Sequence, residues 1–373
     1  MKLCFLKVCL ESAMSPIHDT PAREVVGRET ILRFQMQFQA AAYAALEILS
    51  LSGVDRVYCD YHDDFVVRHQ SPEGCKYHFF QVKTKGKLNK RWTLLEIFAL
   101  KKNGGINTAD KIKEVQNSIA GKLFSHTIQF GEECAGVTIL SNIHFADDAL
   151  NAVADIRAGS SKNKYISEFI EKFSNIFSPH RDLTAQEALD AQKKFDVQPA
   201  VDYMGDSLHR FISAARLSIW RYSEIDLKPQ EIDEIAHSLI ELVMQKSCNR
   251  LEGISKESLD KATSVGLEDL LGILSISTSV FDTLRAGEDP AAIKSASILQ
   301  RQLKQAGASE SLIETASRMK VDWDVWLRTG RHIYTEFNLE ILFQEIETLC
   351  TNWLLSGGKL ADIKSPLKKL LTK

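Results

Sequence analysis

Two neighbouring apolar runs carry polar residues that a plain core would not hold. VYCDYHDDFVV contains Asp60, His62, Asp63 and Asp64, and YHFFQVKTKG contains Gln81, Lys83 and Lys85. Alternate residues of a strand face the same side, so on one extended strand Asp60, His62 and Asp64 share a face, as do Phe79, Gln81 and Lys83 on the next. Brought together by a hairpin, a carboxylate and an amide oxygen make a hard-oxygen site. That suits Mg2+, which takes few protein ligands and keeps several waters. A lysine one alternate position further along would stand near a metal-bound water or a scissile phosphate. These are the parts needed for phosphodiester hydrolysis. A solvated strand edge uses the same residue types, so spacing alone leaves both readings open.

The elements that must position these residues can be read from periodicity. In ETILRFQMQFQAAAYAALEILS, residues Ile31, Phe34, Phe38, Ala41, Ala45 and Leu49 recur at helical spacing, which predicts an amphipathic helix packed on a sheet and ended by Ser52-Gly53. Two strands are expected next, Arg56 to Arg68 and Tyr77 to Lys85, joined as a hairpin by the turn residues SPEG at 71–74. A helix from about Thr93 to Lys101, a second from about Thr108 to Leu123 and a strand at Gly136 to Ser141 follow. Beyond Asn142 the alternation stops and helical segments such as YISEFIEKF and EIDEIAHSLIELVMQK succeed one another. The expected organisation is therefore an α/β N-terminal domain over 23–215 and an all-α domain over 216–373 for oligomerisation or partner docking. Trp323, Trp326 and Trp353 are expected in the core or an interface of the latter. Residues 1–22 read as disordered or as a mis-called start, with Met14 the preferred initiator.

A chain of 373 residues is long enough for two domains, and 44% hydrophobic with 25% charged residues is ordinary globular composition. The net charge of -3 hides a gradient: residues 1–102 carry 15 Lys plus Arg against 11 Asp plus Glu, which leaves the rest acidic. The N-terminal part is thus the half suited to a polyanion. Seven scattered cysteines, with no metal-finger or C-x-x-C spacing, point to free thiols in a reducing compartment. No apolar run is of membrane-spanning length, so a cytoplasmic protein without membrane contact is expected. No phosphate-binding G-x-x-x-x-G-K-[ST] loop occurs, and any ATP hydrolysis must come from a partner.

The order helix, Asp-bearing strand, turn, Gln-x-Lys strand, helix is the core order of the restriction-endonuclease-like fold. Together, RFQMQFQAAAYAALEIL, VYCDYHDDFVV and YHFFQVKTKG resemble the N-terminal nuclease domain of bacterial antiphage DNA endonucleases, a Q-x-K variant of the PD-(D/E)XK enzymes. Such domains are fused to cyclic-oligonucleotide sensors or encoded beside HerA-type hexameric ATPases. The resemblance covers roughly 27–142, with ILSN at 139–142 fitting a later core strand. It implies Gln37 as the helix glutamine of the catalytic set, Asp63 and Asp64 as the acidic pair, and Lys83 as the catalytic lysine. It further implies Asp64, Gln81 and Asp60 as metal ligands, with Gln81 in place of the more usual glutamate. Asp60 stands where the family has glutamate, which shortens its reach. The implied cofactor is Mg2+, with Mn2+ possible, and the implied substrate is double-stranded DNA. Lys85, Lys87, Lys90 and Arg91, closing with Lys83 a run of five cations in nine residues, are expected to track phosphates. A homo-oligomer is expected. Because the strands of a sensor domain are not evident beyond residue 142, a HerA-type ATPase is the expected partner. Competing readings are a catalytically vestigial scaffold subunit and an RNA nuclease.

Overall fold

The computed structural model describes residues 26–274 except 51, 88, 102–104, 178–181, 224–228 and 252–254, together with short stretches between 299 and 319. Residues 1–22, the tryptophans at 323, 326 and 353, and most of the expected all-α domain lie outside the described residues. The chain divides into two compact units after Leu274, not at 215/216 as the sequence suggested. All that follows concerns the first unit.

Its first helix, α1 (Val26–Ala45), runs into a 3-10 turn at Leu46–Ser50. The face it buries is not quite the one expected. Met36, Ala40, Ala41, Ala42 and Ala45 are buried, whereas Ile31 and Phe34 are 70% and 50% exposed. Only the alanine-rich half docks, because small side chains let the helix backbone approach the sheet closely. Three antiparallel strands follow: β1 (Val54–Tyr61), β2 (Asp63–Ser71) and β3 (Gly74–Lys83). The single strand expected over 56–68 is thus two strands. The chain reverses at Asp60 and His62, whose φ angles are 50° and 68°. Aspartate and histidine tolerate this left-handed region better than most residues, so the reversal needs neither glycine nor proline. The SPEG turn is where it was expected, with Ser71 paired to Gly74 at φ 127°.

Parallel strands require a crossover, and helices supply two. Between β3 and β4 (Cys134–Ser141) lie α2 (Leu94–Phe98), α3 (Ala109–Gln116) and α4 (Ile119–Gln129). A Thr93/Glu96 capping box starts α2. The helix expected over 108–123 is broken in two, because Ser118 caps α4 by accepting the Gly121 N–H. Between β4 and β5 (Phe195–Gln198) lie α5 (Asp147–Ala158), α6 (Lys164–Glu171), α7 (Phe173–Phe177) and α8 (Ala185–Lys193). Phe98, Phe124, Phe169, Phe173, Phe177 and Phe195 form the centre of this layer, all fully buried. Each such phenylalanine contributes roughly 1.5–3 kcal/mol of burial energy.

The remaining elements are α9 (Leu208–Ser223), α10 (Pro229–Cys248), α11 (Lys256–Thr263), β6 (Ser264–Gly266) and α12 (Leu267–Leu274). Residues 216–274 were expected in an all-α domain, but β6 joins the sheet. The strand order is β5-β4-β3-β2-β1-β6, parallel over β3, β4 and β5 and antiparallel elsewhere. β6 was invisible in the sequence because three residues give no period. The ladder with β1 seats it, and the preceding helix α11 is tied to β1 and β2 by charged contacts. Arg68 meets Asp55 at 2.6 Å and Asp260 of α11 at 2.9 Å, and the Tyr58 hydroxyl donates to Asp260 at 2.8 Å. Among the described residues no helix is long and apolar enough to cross a membrane.

Candidate active site

Asp64 stands near the start of β2, one residue before the Phe65–Phe80 pair, so the register sets it against Gln81 and Val82 of β3. There the ladder gives way to a side chain: the Val82 N–H donates to Asp64 Oδ2 at 2.6 Å. The Gln37 amide, from α1, donates to Asp64 Oδ1 at 2.8 Å. Both oxygens of one carboxylate are thereby oriented, one by the neighbouring strand and one by a helix. The family position of Gln37 acquires a physical meaning, since it holds Asp64.

Burial pushes the Asp64 carboxyl up to about 6, against the opposing pull of the Lys83 charge and of the two hydrogen bonds, while Asp63 adds to the rise. A carboxylate raised by burial and flanked by a cation is a frequent mark of a functional site. Lys83 ends β3, half-buried, and its charge acts directly on Asp64. Gln81 lies between them in sequence, with Oε1 buried and without a hydrogen-bond partner. An amide oxygen buried without a donor costs free energy of about 1–3 kcal/mol, and in native folds it calls for a partner.

These observations test whether a divalent cation fits. Asp64 offers anionic oxygen and Gln81 an unused neutral oxygen, a hard donor set with few protein ligands, as Mg2+ and Mn2+ accept. Among the described residues no group of three or more His, Cys, Asp or Glu is gathered, so a metal here would rest on one carboxylate, one amide and solvent or substrate oxygens. The residues fit the ion.

Other residues singled out by sequence fall elsewhere. Asp60 does not share a strand with Asp64, because the chain has reversed between them; it lies at the end of β1 beside the turn, exposed, where its charge reaches Cys59. His62 sits on the same turn, its ring 4.5 Å from Tyr61 and 5.3 Å from Phe130, and partial burial, then His126, lowers its pKa. Lys85 is committed internally. Its ammonium meets Glu96 at 2.6 Å, donates to the Arg91 carbonyl and lies 4.1 Å over the Trp92 ring. Its backbone is clasped by Asn142, which accepts from the Lys85 N–H and donates to the Lys85 carbonyl, both at 3.1 Å. Trp92 in turn donates to Ser141 at 2.8 Å. Lys85 therefore anchors the basic loop. Lys87 and Lys90 are exposed beyond it, on a turn closed by the Lys90 N–H and the Lys87 carbonyl. Arg91 is also exposed, 3.5 Å from Asp147.

Two participants escaped the sequence reading. Asn142 gave a faint signal, a polar residue directly after the apolar run of β4. His126 sits in α4 among Leu123, Phe124, Thr127 and Ile128, all buried, and a histidine inside such a stripe could have been flagged.

Residues 26–247 match the family described as Cap4, dsDNA endonuclease domain. No curated protein matches the chain. Among solved structures, the chain is similar to an Acinetobacter baumannii Cap4 SAVED/CARF-domain containing receptor, at 11% identity and a TM-score of 0.37, over 69% of this chain and 47% of that one. It is also similar to a Moraxella osloensis Cap4 SAVED/CARF-domain containing receptor, at 12% identity and a TM-score of 0.36, over 65% and 46%. The chain thus spans about half the length of the solved receptors it matches.

Proposed function

The chain belongs to the Cap4 dsDNA endonuclease domain family, and from that premise we propose that it is a Mg2+-dependent DNA endonuclease acting in the cytoplasm as an effector of antiphage defence. The observation that carries this reading is the unpartnered buried oxygen of Gln81, set beside a carboxylate that Gln37 and Val82 hold in place. Asp64 and Gln81 would hold the ion. When bound, Mg2+ supplies charge neutralisation at the phosphate and a more acidic water.

The remaining work falls to the chain itself. Asp64, ionised at neutral pH, provides the anionic contact, and Gln37 keeps its carboxylate in one orientation. Lys83 places an ammonium where negative charge grows on the phosphate as the bond breaks; such a fixed cation stabilises the transition state more than the ground state. Lys87, Lys90 and Arg91 give sequence-independent phosphate contacts that fix the duplex in register. Lys85 keeps their loop in shape.

Restraint of the nuclease belongs to the same reading: a homo-oligomer that docks on a HerA-type hexameric ATPase. The test is cleavage of plasmid, linear duplex and RNA of matched sequence. Each is incubated with Mg2+ or EDTA, with the protein alone, with a HerA-type ATPase and with cyclic trinucleotides. Mg2+-dependent cutting of duplex DNA, raised by the ATPase, is expected. Cutting of RNA alone would replace the substrate, and activation by a cyclic trinucleotide would replace the trigger. No cutting under any condition would make the chain a scaffold.

A further inference from the structure

Asp63 and Asp64 are adjacent carboxylates, yet only Asp64 is engaged by Gln37 and Val82. Asp63 is the more hidden of the two partners in a separate contact: its Oδ2 lies 3.3 Å from His126 Nε2, with side-chain exposures of 6% and 14% respectively. Its other oxygen, Oδ1, accepts the backbone N–H of Asp64 at 2.9 Å. The imidazole is fixed from its other side as well. It stacks on Phe79 with ring centroids 4.6 Å apart and planes 11° from parallel, and Phe130 lies at 6.2 Å. Its Nδ1 is buried without a hydrogen-bond partner.

We propose that His126 is a positioning residue for the metal site, acting through Asp63 on the backbone of Asp64. This rests on the reading of Asp64 as a metal ligand. Two helices then grip one dipeptide: α1 reaches Asp64 through Gln37, and α4 reaches Asp63 through His126. The second grip does two things. It fixes the peptide plane from which the Asp64 side chain springs, and it keeps Asp63 turned to its own donors, so that a second carboxylate does not swing towards the cation. Partners of this kind typically set metal affinity by 10–100-fold. Neither the motif spacing nor the family position of Asp63 indicates His126, because it comes from an element more than sixty residues downstream.

The test compares His126→Met, which fills the space against Phe79 but offers no N–H, with His126→Gln, which restores a donor. Mn2+ binding is measured by calorimetry, alongside the Mg2+ concentration for half-maximal cleavage and the melting temperature. His126→Met is expected to weaken Mn2+ binding and raise the Mg2+ requirement by about 10–100-fold, with cleavage largely recovered at saturating metal; His126→Gln returns both to within about threefold of the wild type. Asp63→Ala reads the same link from its other end, should His126→Met fail to fold, and is expected to match it. Unchanged Mn2+ binding in these variants, or a fall in melting temperature that His126→Gln does not relieve, overturns the proposal while leaving Asp64 as ligand. A wild-type protein that binds no Mn2+ and cuts no duplex overturns the ligand reading and this proposal with it.

Discussion

Replacing Asp64 by asparagine should abolish cleavage and, in the absence of metal, make the fold more stable. Asn is nearly isosteric, its Oδ1 can still accept the Val82 N–H, and Gln37 can turn its amide to meet the new NH2. What disappears is a buried negative charge. The carboxyl rises from an ordinary 3.8 to about 6, chiefly through burial. A raised acid works against stability as it ionises: below about pH 4 Asp64 is protonated in both states, from there to about pH 6 only the unfolded chain releases its proton, and above that the difference is constant. The interval corresponds to a loss of about 3 kcal/mol in the stability of the wild type, and about 2 kcal/mol of it falls between pH 4.5 and 7.5 by the linkage relation.

 The clean measure is the difference between the two proteins, since any cost of the amide itself is the same at every pH. Urea unfolding of both in EDTA, from about pH 4.5 to pH 7.5, should show the advantage of Asp64→Asn widening by about 2 kcal/mol. Adding Mg2+ should shrink that advantage, because the ion binds only the ionised wild type. A difference that stays flat with pH would refute the picture of a buried, raised carboxyl.

Three further outcomes follow from other parts of the unit. Burial, with a smaller effect of His69, lowers His78 to about 4, so the unfolded chain binds a proton that the folded one refuses; stability is lost as pH falls from about 6.5 to 4, and His78→Gln should remove up to about 3 kcal/mol of that acid loss in urea titrations. Lys87→Ala with Lys90→Ala should reduce the slope of log affinity for duplex DNA against log salt by about 2, in fluorescence anisotropy, whereas Lys85→Met should leave the slope and cost about 1 kcal/mol of stability. Arg68→Met should cost about 2–3 kcal/mol, less than a fully buried network because Asp260 is partly exposed, and limited proteolysis should then cut first around α11 and β6.

Much of the site was legible because its chemistry is local. Gln81 and Lys83 share one strand, Asp64 lies on the next, and a turn of proline and glycine announces their pairing. Gln37 was legible only through a family pattern; that it bonds Asp64 depends on how α1 crosses the sheet, which no spacing states. The reversal at Asp60 and His62 was hidden, since aspartate and histidine enter the left-handed region without the usual turn residues, and so Asp60 was read onto the same strand as Asp64. Lys85 misled for a different reason. A lysine in a basic run looks like its neighbours until Glu96 and Trp92, brought up by the folded loop, are seen to hold it. β6 and the Arg68 network rest on contacts between residues about two hundred positions apart, which one sequence does not disclose.

The most direct measurement is crystallographic: crystals soaked in Mn2+, with anomalous difference maps from the wild type and from Asp64→Ala. The expected result is a peak bonded to Asp64 and to Gln81 Oε1, lost in the variant. A peak elsewhere, or none at Asp64 under conditions in which the protein cuts DNA, would contradict the assignment of this site.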